Sequence, residues 1–171
     1  PGNRGPEENK NLNHMKKYVL SISVLISAML YGKVIAQTAE LQVIHNAADP
    51  AASSVDIYLN GALALDDFAF RTATPFLQIP AGVPVDIGVA AGNSTSVNDT
   101  LKNFQVTLIA GQRYVAIANG VLNPASFATN PDAVNTAFTL LIQSGIQNAA
   151  TTGTNVDFIA VHGATDAPTV D

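Results

Sequence analysis

The chain has 171 residues and no cysteine, and past residue 36 it holds no Trp and no Met. That later stretch sets three cations, Arg71, Lys102 and Arg113, against eleven Asp and Glu, for a formal charge of −8. Thiolate catalysis, Cys-ligated metal and disulfide stapling are excluded, and the acidic balance argues against nucleic acid and anionic membranes as partners.

Residues 1–14 are polar, with no apolar period, and the first Met is Met15. They read as a disordered segment upstream of the true start, or a remnant of expression, that cannot pack a core. Lys16 and Lys17 then precede an uncharged run over 18–30, followed by Lys33 and the small-residue site Val34-Ile35-Ala36. This layout predicts a signal peptide over 15–36, cleaved after Ala36, because a membrane span needs about 20 apolar residues. The expectation is therefore export to the outside or the cell surface, with no membrane contact after cleavage.

From residue 37 the apolar residues alternate. Residues 40–46 and 55–60 predict strands, the second with Val55, Ile57 and Leu59 opposite Asp56, Tyr58 and Asn60. Asn60-Gly61 predicts a tight hairpin, since both central residues of that turn need positive φ, and residues 62–66 form its partner. Further strands are expected over 72–79, 84–91, 97–108, 113–119 and 138–143. The sequence at 121–135, with Asn123-Pro124 and Asn130-Pro131, predicts a longer connection with a short helical turn. Short strands with turn chemistry between them predict an all-β fold: an immunoglobulin-like antiparallel β-sandwich of seven to nine strands, with a barrel as the alternative. The domain is expected over 37–147, with a small-residue linker over 148–154.

The opening segment returns near the end of the chain. His45 and Asp49 match His162 and Asp166, each 117 residues on, and Val55-Asp56 matches Val170-Asp171 after a two-residue deletion. The expected organisation is one full repeat and, over 155–171, the truncated start of a second.

Val43, His45, Asp49, Val55, Asp56, Tyr58, Asn60 and Gly61 carry a V-x-H-x-x-x-D opening and then V-D-x-Y-x-N-G. With 68–75, Ile79-Pro80-Ala81-Gly82 and the second opening at 162–168, the sequence from about residue 40 to 171 resembles the domain of unknown function 4397 family. The resemblance implies a secreted or surface bacterial protein, often with tandem domains, and it implies no reaction. In that light the patterns Asn93-Ser94-Thr95 and Asn98-Asp99-Thr100 read as chance matches to a glycosylation signal.

Candidate ligand-binding residues are His45 and Asp49, which recur, and Tyr58 and Tyr114, the better-exposed rings for stacking on a sugar. The competing reading makes His45 a strand-end residue and Asp49 the start of a turn before Pro50. Ser53 or Ser54 with His45 and Asp56 lacks the surroundings of a hydrolytic triad. Asp49, Asp66, Asp67 and Asp86 lack the spacing of a calcium loop, and Phe68, Phe70 and Phe76 around Arg71 read as core. No catalytic residue, metal or cofactor is expected. The function expected is a non-catalytic structural or adhesion module; the alternative is an accessory module binding polysaccharide or peptide. Its partners would be a cell-surface polysaccharide or protein and neighbouring repeats of the same chain.

Overall fold

A computed structural model describes residues 37–170; the segments expected as upstream sequence and signal peptide lie outside them. Eight strands form two four-stranded sheets. In chain order they are β1 (Thr38–His45), β2 (Ser54–Leu59), β3 (Ala62–Ala69), β4 (Leu77–Pro80), β5 (Pro84–Ala91), β6 (Thr100–Thr107), β7 (Arg113–Asn119) and β8 (Thr139–Ser144). One sheet runs β4-β1-β7-β8 and the other β3-β2-β5-β6. The fold is all-β, and the two sheets close as a sandwich over one apolar core.

Period-two alternation builds that core. Leu41 on β1, Val55 and Ile57 on β2, Val85, Ile87 and Val89 on β5, and Ala116 on β7 are all buried in one cluster. Phe104 and Val106 add to it from β6. The same parity turns Leu101 outward, where it is 48% exposed, because a side chain an odd number of residues from Phe104 lies on the opposite face. The sheets leave an apolar gap of about 40 Å³, lined by Leu41, Val43, Ile57, Ala116, Phe138 and others.

Two features depart from the expected pattern. The β1–β7 pair is parallel, with Glu40 opposite Arg113 and His45 opposite Ala118. Alternation reports which face is buried and not which direction a neighbour runs, so a first and a seventh strand can meet parallel. The strand expected over 72–79 shrinks to Leu77–Pro80. Pro75 has no N–H to offer a ladder; Thr74 instead bonds Val43 twice, through its own N–H at 2.9 Å and its hydroxyl at 3.0 Å.

The Asn60-Gly61 hairpin forms with positive φ at both residues, 49° and 83°. Gly88 on β5 is held to glycine by contact, since a Cβ there would meet the Thr100 methyl at 2.6 Å. The connection after β7 includes a 3-10 turn at Pro124–Ser126. Residues 156–164 form no strand.

Candidate functional site

His45 ends β1 at the corner where the chain passes from one sheet to the other. After β3, Arg71 takes a left-handed φ of 62°. Its N–H donates to His45 O at 2.8 Å, and His45 N–H donates to Thr72 O at 3.0 Å. The ring is 1% exposed. It packs between Phe68 and Phe70, each with its centroid 5.9 Å away. Nε2 lies 2.7 Å from Ala52 O, and Nδ1 accepts from Ala47 N–H at 3.4 Å. Only the neutral ring protonated at Nε2 satisfies both partners. Burial lowers the pKa of His45, partly opposed by the bond to Ala52 O.

Asp49 caps the 3-10 turn Pro50–Ala52, its Oδ1 accepting from Ala51 N–H at 2.9 Å. Its Oδ2 accepts from Leu122 N–H at 2.8 Å, so one carboxylate closes its own loop and ties down the connection after β7. It is 6% exposed. His45 and Asp49 thus act on the same loop, yet each bonds backbone and not the other.

Tyr58 and Tyr114 are buried, at 5% and 6% exposure, against the expectation of exposed rings. Tyr58 points away from the core face of its strand, but the loop after β5 covers it, with Ser94 Oγ 2.9 Å from its hydroxyl. Ser94 donates in turn to Asp56 Oδ2 at 2.5 Å, and Asp67 N–H donates to Asp56 Oδ1 at 2.9 Å. Burial alone would raise the Asp56 carboxyl; the bonds from Ser94 and Asp67 outweigh it and hold the group below its ordinary range. The Tyr114 hydroxyl accepts from Ile109 N–H at 3.1 Å, closing the turn before β7. Sequence patterns show that Tyr58 and Tyr114 sit on strands; they do not show which loop folds over each ring.

The remaining candidates scatter. Asp86 accepts from Gln105 at 2.7 Å on the exposed side of β5, and Asp67 is 3.4 Å from Ser54 Oγ. Among the described residues, no three His, Asp or Glu side chains gather as metal ligands would. Arg71 lies over Phe70 at 5.2 Å, and Arg113 lies over Phe76 at 4.6 Å while paired with Glu40.

One participant escaped sequence reasoning. Asn130 is 7% exposed. Its Nδ2 donates to Thr165 O at 3.1 Å and Ala167 O at 3.0 Å, and Thr169 N–H donates to Asp132 Oδ2 at 2.6 Å. The long connection therefore grips the second opening segment. Within that segment His162 Nε2 lies 3.1 Å from Pro168 O, six residues on and exposed, where the buried His45 reaches a carbonyl seven residues on, Ala52 O. Asn130-Pro131 reads locally as a turn signal, and nothing local marks its amide as a long-range donor.

The model of a protein family described as a domain of unknown function, DUF4397, matches residues 39–171. No curated protein matches the chain.

Proposed function

The chain belongs to the DUF4397 family, and from that premise we propose that it is a non-catalytic structural or adhesion module of a secreted or surface protein, built from tandem sandwich units. The observation that carries this reading is the use made of the polar candidates. His45, Asp49, Tyr58 and Tyr114 are buried, and each spends its polar atoms on a bond that closes a loop. Residues so committed serve the fold and leave little to offer a substrate. The tandem reading draws its support from the recurrence of His45 and Asp49 as His162 and Asp166, each histidine lying against a carbonyl six or seven residues on.

Export is part of the proposal and has its own test. Amino-terminal sequencing of the secreted protein should begin at Gln37; a start at Met15 would remove the signal peptide from the account. The competing reading is a binding module for polysaccharide or peptide. A glycan array probed with the secreted protein distinguishes the two: saturable binding to a defined glycan would favour the binding module, and its absence leaves the structural role. An enzymatic role would require hydrolysis across a broad substrate panel that is lost in His45→Ala.

A further inference from the structure

Each sheet of the sandwich ends on two strands that have a neighbour on one side alone: β4 and β8 in one, β3 and β6 in the other. Such an edge offers its backbone N–H and C=O groups to any other strand unless something blocks it. Three of the four are blocked. β3 carries Asp66-Asp67, and its register against β2 shifts twice. β4 is four residues long and ends at Pro80. β6 sets Lys102 opposite Val89 on the core-facing side, and its register shifts just beyond that pair. β8 has none of these devices. Its residues, Thr139 to Ser144, include no charge and no proline, and they pair with β7 from Asn119 to Tyr114 without a shift. Its apolar side chains are also left uncovered. Phe138 is buried and Leu140 half-buried against the core; Ile142 follows them on the same face yet is 38% exposed. Leu141, on the outer face opposite Ile117, is 39% exposed.

We propose that β8 is a dimerisation edge, which pairs antiparallel with β8 of a second copy of this chain and joins two four-stranded sheets into one. Two features select a second copy as the occupant. The first is register. A two-fold axis through Leu141 sets Leu141 against Leu141, Leu140 against Ile142 and Thr139 against Gln143. Directly opposed residues share a face. Each Ile142 therefore gains the partner copy's Leu140 on the core side, the two Leu141 side chains meet on the outer side, and polar residues meet polar ones. The second feature is charge. The chain past residue 36 is strongly acidic, which keeps copies apart, yet no charged residue stands between 133 and 156. β8 lies within that neutral stretch, where two acidic copies can touch. The pairing is isologous and consumes the edge of both copies, so assembly closes at the dimer. β8 ends at Ser144, so this interface would form with or without a second repeat.

Because the chain has no cysteine, a placed thiol reports the axis. Leu141→Cys should oxidise to a covalent dimer, since directly opposed residues of an antiparallel pair have Cα atoms about 4.5–5.5 Å apart, within disulfide reach. Leu63→Cys, 51% exposed on the blocked edge β3, should cross-link at least about tenfold less. A second readout needs no thiol. Sedimentation of the unmodified protein should show a monomer–dimer equilibrium that stops at the dimer. Leu141→Lys and Leu141→Glu should each raise its dissociation constant at least about tenfold, because like charges would stand directly opposite each other. An equimolar mixture of the two variants should dimerise again, which also shows that both are folded. A monomer at every concentration, equal cross-linking of Leu63→Cys and Leu141→Cys, or a mixture no more associated than its components would overturn the proposal.

Discussion

At His45 a buried ring fixes its own protonation state. The imidazole must accept from Ala47 N–H while facing Ala52 O, so the folded protein disfavours the imidazolium. Its lowered pKa means that the unfolded chain binds a proton the folded one refuses as the pH falls below about 6.5. Stability should therefore be complete above that value and fall below it, by at most about 1.4 kcal/mol per pH unit. Urea midpoints at pH 7 and pH 5 measure this, and His45→Gln should flatten the difference between them. A separate loss belongs below about pH 4, where Asp56, held low by its bonds to Ser94 and Asp67, takes up a proton. Asp49 makes the complementary case. In Asp49→Asn one of the two N–H groups, on Ala51 or Leu122, faces an amide NH₂, and the variant should lose about 1–3 kcal/mol in chemical denaturation.

At the scale of elements, the loop after β7 and the second opening segment behave as one unit. Asn130 is buried and satisfied by two carbonyls from 165–167. Asn130→Ala should release that segment: amide exchange over 163–169 should accelerate by at least about tenfold while β2 and β5 keep their protection. If protection over 163–169 were unchanged, the grip would lie elsewhere. β4 shows the opposite balance between local and long-range effects. Its shortening is explained by Pro75 and by the Thr74 hydroxyl taking the place of a ladder bond, both of which stand in the sequence once the position of Val43 is known.

At the scale of the whole molecule, stability rests on how well two sheets close without disulfides. The apolar gap of about 40 Å³ marks imperfect closure. Ala116→Val, on its lining, should fill part of it and raise stability by about 0.5–1 kcal/mol, read as a higher melting temperature; a drop would show that the gap is too shallow at β7. Leu41→Ala enlarges the same gap and should cost about 2–5 kcal/mol.

The strands were legible because burying one face imposes a two-residue period whatever the partner. That period placed Val55, Ile57, Val85, Ile87 and Val89 inside, and Asn60-Gly61 announced its turn through the φ values that only a few residues tolerate. The recurrence of His45 and Asp49 was legible too. Direction, cover and reach were not. The parallel β1–β7 pairing, the loop that buries Tyr58, the carboxylate of Asp49 bonded to Leu122 and the amide of Asn130 bonded to 165–167 all join residues far apart along the chain. By itself the sequence determined the all-β fold, the faces of its strands and the repeated opening, since these follow from each residue's own chemistry and spacing. The closed sandwich alone decided that the candidate polar residues bond inward, because a buried donor or acceptor takes whatever partner the packing brings within 3 Å or so.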